Sequence, residues 1–207
     1  MLENLELLCH NSIRITGSKT IYIDPFKVNE NYNDADYIFC THSHFDHFSK
    51  EDIEKVKKDG TIIITVNSSK ADAEEIAPKN KVIIVEPENE YNVEGLEFKT
   101  TYAYNVNKQF HPKENKWVGF IINLDDTVYY IAGDTDFVPE IEHVKCDVAL
   151  IPIGGTFTMD VEEALKLANS LDAKYIVPTH YGEVIGDKSD GEKFAKLVTN
   201  KEVKVMM

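Results

Sequence analysis

Hydrophobic and polar residues alternate near the start of the chain with the period of β-strands. The segments Leu5–Cys9, Ser12–Thr16 and Thr20–Ile23 predict three short strands, with a tight turn at Gly17 and Ser18. Further along, apolar runs alternate with stretches of helical periodicity, which predicts alternating strands and helices. The strands are predicted at 36–40, 61–65 and Val82–Val85, and the helices at 50–58 and 69–76.

The second half of the chain repeats this change from alternation to helical periodicity. Strands are predicted at Leu96–Tyr102, 117–124, 128–131, 148–151, 175–177 and 203–206. Asp160, with Glu163 three residues later, predicts the capped start of one helix. Ser189 predicts the start of a last helix, and the segment 139–145 is interpreted as a polar helix. Two sets of mixed strands, each followed by helices, predict an α/β (α+β) fold with two sheets face to face and helices outside.

Composition and charge indicate a globular protein and exclude several other classes. The chain has 207 residues, 43% hydrophobic and 28% charged, with a formal net charge of −14. These values predict a single globular domain over 1–207, with no membrane span and no nucleic-acid partner. An N-terminus carrying Glu3 and Glu6 is unlike a signal peptide, so a cytoplasmic location is expected. Three cysteines with no metal or redox spacing are interpreted as small core residues.

The densest group of chemically reactive side chains directly follows the predicted strand at 36–40. His42, His44, Asp46 and His47 put three imidazoles and a carboxylate within six residues. Imidazole and carboxylate are ligands that zinc, manganese and iron accept, and a loop lets neighbouring side chains converge. A solvated His-rich loop is the alternative, but loops after buried strands are common positions for functional sites.

Two later strand ends carry one metal-binding residue type each. Asp134 follows the strand at 128–131, and His180 follows the strand at 175–177. Alone, an aspartate after glycine is more often a turn residue and a lone histidine is more often structural. Three strand ends that together supply four histidines and two aspartates instead predict a metal site.

The sequence here resembles the metallo-β-lactamase superfamily, whose His-x-His-x-Asp-His motif is matched by residues 42–47. The resemblance covers essentially the whole chain and implies a four-layer αββα sandwich with two divalent metal ions. Zn²⁺ is the first choice for these ions, with Mn²⁺ or Fe²⁺ as alternatives. By this resemblance, one ion is bound by His42, His44 and a third histidine, the other by Asp46, His47 and His180, and Asp134 bridges them.

His111 is the expected third histidine, because it is the one histidine between Leu96–Tyr102 and Trp117. In many relatives this ligand follows the strand more directly, where this chain has Tyr104 and Asn105, so Asn105 is its competitor. The Tyr-Asn pair followed by Phe110 and His111 resembles metal-dependent hydrolases near ascorbate-6-phosphate lactonase.

Three further residues receive weaker assignments. His10 follows the first strand, where the resemblance implies a pocket role, either contact with substrate or a hydrogen bond to a metal ligand, against a structural histidine. Asp24 fits a carboxylate that orients a ligand histidine, and a turn residue equally well. His143 is interpreted as a surface residue.

The expected activity is hydrolysis by a metal-bound hydroxide, because divalent ions lower the pKa of bound water toward about 7. The substrate is expected to be a small, anionic phosphodiester, lactone or acyl compound, with Asp46 also orienting the hydroxide. Lys108, Lys113 and Lys116 either attract such an anion or are solvated surface residues. The alternative function is a noncatalytic metal-binding or ligand-sensing protein.

Overall fold

The computed structural model describes residues 2–206, and the chain divides after Glu86 into two compact units. Each unit contains one mixed sheet and a small number of helices. This confirms the predicted fold class, α/β (α+β) with two sheets. No helix within residues 2–206 is long and apolar enough to cross a membrane.

The sheet of the first unit has six strands that lie in chain order. The first three strands are antiparallel neighbours, and the third to the sixth are parallel. Their bounds are β1 Leu5–Cys9, β2 Ser12–Thr16, β3 Thr20–Ile23, β4 Ala35–Phe39, β5 Lys57–Val66 and β6 Val82–Val85. Because β1, β3 and β4 run in the same direction, the loops after them leave the same edge of the sheet.

Two helices cover one face of this sheet. They are α1 Lys50–Val56 and α2 Lys70–Ile76, with 3-10 turns at Leu2–Asn4, Asn67–Ser69 and Lys79–Lys81. Helix α1 begins at Ser49, whose side chain accepts a hydrogen bond from the backbone N–H of Asp52. Ile53, Val56 and Ala73 of these helices pack in one buried cluster with apolar strand residues. The predicted helices are therefore present, each shorter by one or two residues at one end.

The sheet of the second unit has seven strands in the order β13-β12-β11-β10-β9-β8-β7. The strands are β7 Glu90–Val93, β8 Leu96–Tyr102, β9 Val118–Leu124, β10 Thr127–Ile131, β11 Val148–Pro152, β12 Tyr175–Thr179 and β13 Glu202–Val203. Neighbours from β7 to β10 are antiparallel, and those from β10 to β13 are parallel. The carboxyl ends of β8, β10, β11 and β12 therefore meet at one edge.

The helices of this unit are α3 Val161–Ser170 and α4 Asp190–Leu197, with 3-10 turns at Lys113–Asn115 and Pro139–Ile141. The predicted capping box of α3 is confirmed, since Asp160 and Glu163 exchange side-chain and backbone hydrogen bonds. Ala164, Leu167 and Phe194 of these helices lie in the buried core cluster of this unit.

Several sequence predictions about this unit and the cysteines were wrong. The helix predicted at 139–145 is a single 3-10 turn that ends at Ile141, and β7 was missed. The strand predicted at 203–206 is instead the two-residue β13 Glu202–Val203. The start of the last helix was predicted correctly, since Ser189 is the N-cap residue of α4, although its side chain makes no capping hydrogen bond. Cys40 is buried as expected, but Cys9 and Cys146 are only partly buried.

Candidate metal centre

In the first unit, the buried carboxylate of Asp24 organises the loop after β4. It accepts hydrogen bonds from the backbone N–H of Thr41 at 2.8 Å, the Thr41 hydroxyl at 2.8 Å and Asn11 Nδ2 at 2.7 Å. It also lies 2.7 Å from His47 Nδ1. An accepting carboxylate places the proton on Nδ1, which leaves His47 Nε2 with the lone pair that a metal ion needs. Asp24 thus orients a predicted ligand, and its φ of 46° shows that it also shapes the turn.

His42 and His44 direct ring nitrogens toward each other. His42 Nε2 lies 3.0 Å from His44 Nδ1, and the Thr41 hydroxyl lies 3.0 Å from His42 Nδ1. His42 is buried and His44 is half-buried, so the pair lies at the margin of the protein interior. The single loop residue Thr41 therefore contacts both the oriented histidine His42 and the buried Asp24.

Asp46 lies between two imidazoles of the same unit. Its Oδ2 atom is 3.3 Å from His10 Nε2 and 3.6 Å from His47 Nε2. His10 follows β1, has φ of 57° and is fully buried. Left-handed backbone at a residue other than glycine is uncommon and costs energy, so the surrounding structure must hold His10 in place. The contact favours a role for His10 in holding a predicted ligand over direct contact with substrate.

In the second unit, Asp134 after β10 lies between His180 after β12 and His111 of the loop that joins β8 to β9. Its Oδ2 atom lies 3.2 Å from His111 Nε2 and 3.1 Å from His180 Nε2, and all three side chains are buried. Gly133 has φ of 68°, a conformation that turns the chain directly after β10. A buried carboxylate oxygen shared by two imidazoles is an arrangement suited to ligating a divalent ion.

His180 is held in a strained conformation by close backbone packing. It follows β12 with φ of 58°. A Cβ atom at Gly154 would lie only 2.1 Å from the His180 carbonyl oxygen, so only glycine fits at this position. The loop after β11 therefore fixes the backbone of His180, and with it the direction of its ring.

Asn105 was the alternative to His111 as the third ligand of the first ion. In the structure its side chain orients the His111 ring. Its Nδ2 atom donates to Asp136 Oδ1 at 3.1 Å and to the Phe157 carbonyl at 3.0 Å. These two acceptors turn Oδ1 toward His111, where it accepts from the backbone N–H at 3.1 Å and lies 2.9 Å from Nδ1. The amide oxygen places the proton of His111 on Nδ1 and leaves the Nε2 lone pair facing Asp134.

Asp136 and Lys108 stabilise the loop that carries Asn105 and His111. The carboxylate of Asp136 accepts from the Val106 backbone N–H at 2.9 Å and pairs with Lys108 Nζ at 2.5 Å. Lys113 is similarly paired with Glu140. Two of the three lysines that the sequence left as either anion-attracting or solvated surface residues are thus paired with acidic neighbours. Asp136 lies two residues after Asp134 in the sequence, but no local sequence pattern predicts its hydrogen bond to Asn105.

Donor chemistry and spacing within each unit fit divalent metal ions. Two ligand atoms about 2.1 Å from a tetrahedral zinc ion lie about 3.4 Å apart. Four pairs of donor atoms among the predicted ligands are separated by 3.0 to 3.6 Å. His143, by contrast, has a side chain 76% exposed and contacts the Ser170 carbonyl, in agreement with its assignment to the surface.

Known proteins similar to this chain carry the same type of domain. A family profile described as a β-lactamase superfamily domain matches residues 4–180. A UPF0173 metal-dependent hydrolase of Pyrococcus abyssi is 33% identical, covering 100% of this chain and 96% of the relative. A solved structure from Parabacteroides distasonis is 27% identical with a TM-score of 0.83, covering 97% of this chain and 91% of that one. Igni18, a metallo hydrolase from Ignicoccus hospitalis, is 24% identical with a TM-score of 0.80, covering 98% and 94%.

Proposed function

Since the chain belongs to the metallo-β-lactamase superfamily and is a metal-dependent hydrolase, we propose that its histidines and aspartates bind two divalent ions that hydrolyse a small substrate. The observation that carries the proposal is the carboxylate of Asp134 shared by the Nε2 atoms of His111 and His180. The proposed ligands are His42, His44, Asp46, His47, His111, Asp134 and His180.

The allocation of ligands follows the sequence motif. His42, His44 and His111 serve one ion, Asp46, His47 and His180 serve the other, and Asp134 serves both. Asp24 supports the choice of His47 as a ligand in the first unit, because its carboxylate lies 2.7 Å from His47 Nδ1 and fixes the tautomer of the ring. Asn105 does the same for His111 on the second unit at 2.9 Å.

Two divalent ions held in this way supply Lewis acidity and activation of water near neutral pH. The protein's own groups then orient the reactants. Asp46 has one oxygen atom facing His10 and His47, so its other oxygen atom is suited to accept a hydrogen bond from water. His10 acts through Asp46 by holding this carboxylate in place. A ligand set rich in imidazole favours Zn²⁺, with Mn²⁺ and Fe²⁺ as alternatives.

The candidate substrates are phosphodiesters, lactones and other acyl compounds, whose hydrolysis develops negative charge that a cation stabilises. The pairing of Lys108 with Asp136 and of Lys113 with Glu140 leaves little positive charge to capture an anion. An uncharged acyl or lactone substrate is therefore as suitable for this protein as an anionic phosphodiester.

The experiment that tests the proposal is an assay of metal-loaded protein against panels of phosphodiesters, lactones and esters. Hydrolysis should stop on chelation and return when metal is restored. His180→Ala should lose both metal and activity, whereas His143→Ala, a matched histidine on the surface, should keep both. Two bound ions without hydrolysis of any panel member would instead favour the alternative, a noncatalytic metal-binding or ligand-sensing protein.

A further inference from the structure

An aromatic cleft lies in the first unit beside the histidine motif. It has a volume of about 640 Å³ and is lined by Phe26, Phe45 and Phe48 together with polar residues of α1. This volume lies within the range of roughly 300 to 1,000 Å³ that small-molecule sites occupy. Its apolar lining consists of the three phenylalanines and Val28, and the remaining lining residues are polar or charged.

Phe45 connects the cleft to the proposed metal ligands. It lies between His44 and Asp46 in the chain, and its ring is 68% exposed. The ring makes an edge contact with Phe26 at 5.8 Å between centroids. Phe26 in turn contacts His10 at 6.3 Å, and His10 contacts Asp46. Ring contacts therefore link the exposed Phe45 through the buried Phe26 to His10, which contacts the carboxylate of a proposed ligand.

The charged residues of the cleft already have partners: Lys55 pairs with Glu51 and Asp52, and Lys27 Nζ lies over the Phe26 ring at 5.5 Å from its centroid. Both oxygen atoms of Asp52 accept backbone hydrogen bonds, from Lys27 and Val28 at 3.0 Å each. Asp52 also accepts from the Ser49 hydroxyl at 2.7 Å and from Lys55 Nζ at 2.9 Å. Phe45 is therefore the lining residue with the most to gain from a ligand, because Phe26 and Phe48 are buried and an exposed aromatic ring gains free energy when it is covered.

We propose that this cleft binds the apolar acyl or aromatic portion of the substrate, and that Phe45 determines specificity for it. The inference rests on the proposed function, because it places the substrate's reactive group at the metal ligands beside Phe45. Phe45 is the chain neighbour of both His44 and Asp46, so a substrate that covers Phe45 lies against the loop that carries these two proposed ligands. The substrate class is then a small ester, lactone or amide with a hydrocarbon substituent.

The test uses straight-chain hydroxamic acids, from acetohydroxamate to octanohydroxamate, as probes that bind a metal ion through one end. Their dissociation constants are measured by calorimetry on the metal-loaded full chain. In the wild type, each added methylene should tighten binding by up to roughly fourfold while the chain extends along the cleft. Phe45→Ala should flatten this dependence on length, and Phe45→Leu should restore part of it.

Leu197→Ala is the matched control, because Leu197 is an exposed apolar side chain at the end of α4. It should keep the full dependence on length. Metal content should be the same in all variants, which separates loss of the cleft from loss of folding.

Three results would overturn the inference. The cleft would be rejected if affinity for the wild type did not depend on the length of the hydroxamate chain. It would also be rejected if affinity depended on that length equally in Phe45→Ala and in the wild type. In both cases, binding of acetohydroxamate would still support the metal ions. Failure of acetohydroxamate to bind metal-loaded protein more tightly than chelator-treated protein would reject the metal centre itself. A dimer of the wild type that Phe45→Ala converts to a monomer would show that a second copy of the chain covers Phe45.

Discussion

Replacing Asn105 tests whether a single amide sets the orientation of His111. In Asn105→Ala the four hydrogen bonds of this side chain are lost, at distances between 2.9 and 3.1 Å. At about 1 kcal/mol each, their loss should lower the free energy of unfolding by up to about 4 kcal/mol. Without its acceptor, His111 is also free to rotate or to change tautomer, so metal affinity should fall roughly 10- to 100-fold.

The measurements are urea unfolding of the metal-free protein and competition for metal with a chromophoric chelator. Asn123→Ala is the matched control, because Asn123 is exposed on β9, and it should change neither quantity. His111→Ala should lower metal affinity further than Asn105→Ala, because it removes the ligand itself. An Asn105→Ala protein with wild-type stability and wild-type metal affinity would refute the assignment of Asn105.

The variant Asn105→Asp distinguishes the role of the amide oxygen from the role of the amide nitrogen. The aspartate still offers an oxygen atom to His111, but it places a second carboxylate oxygen where Nδ2 now donates to Asp136 at 3.1 Å. We expect this variant to be less stable than the wild type because two carboxylates would face each other there. Wild-type stability would mean that the amide does not donate to Asp136.

Three further predictions follow from local packing and charge. Gly154→Ala should lower the melting temperature and the metal content, because its Cβ atom would lie 2.1 Å from the His180 carbonyl oxygen; an unchanged protein would contradict this packing. Cys146 should react with iodoacetamide about a thousandfold more slowly than an ordinary thiol at pH 8, because burial and nearby carboxylates raise its pKa from 9.0 to about 12, and fast labelling would contradict this. Burial raises the pKa of Asp52, but hydrogen bonds from Lys55 and others outweigh burial and lower it below 3.8, so its carboxylate stabilises the fold at neutral pH. Asp52→Asn should therefore be less stable than the wild type at pH 7, with a difference that shrinks as the pH falls through the lowered pKa, and a difference independent of pH would contradict the assignment.

Strands were predictable where alternation was strong and turn residues bounded it. Leu5–Cys9, Ser12–Thr16, Thr20–Ile23 and Leu96–Tyr102 were predicted with the bounds that the structure has. β7 was missed because Glu90–Val93 is a short edge strand with alternate residues exposed. The polar segment 139–145 was predicted as a helix from its sequence. His143 has φ of 69°, which a helix does not allow.

Most candidate ligands were predictable because they lie in a short motif or directly after strands, whereas His111 lies in the long loop between β8 and β9 and was expected through the family resemblance. The residues that orient them were harder to find, since their contacts join distant parts of the chain. Asn105 and Lys108 reach Asp136 across 31 and 28 residues. Asp24 was a candidate for such a role in the sequence, but its partner His47, 23 residues away, was not identified there. No local pattern encodes such pairs, because they depend on which strand ends lie together at the edge of a sheet.

The most direct test of the central claim is the metal content of the reconstituted protein and of Asp134→Ala. Elemental analysis after dialysis should find close to two divalent ions per wild-type chain, and clearly fewer in the variant, which should also lose hydrolysis. This result is expected because the Asp134 carboxylate lies 3.1 to 3.2 Å from two imidazole nitrogens and, by the proposal, contacts both ions. Two ions and full activity in Asp134→Ala, or a wild-type protein that binds no divalent ion, would contradict the account.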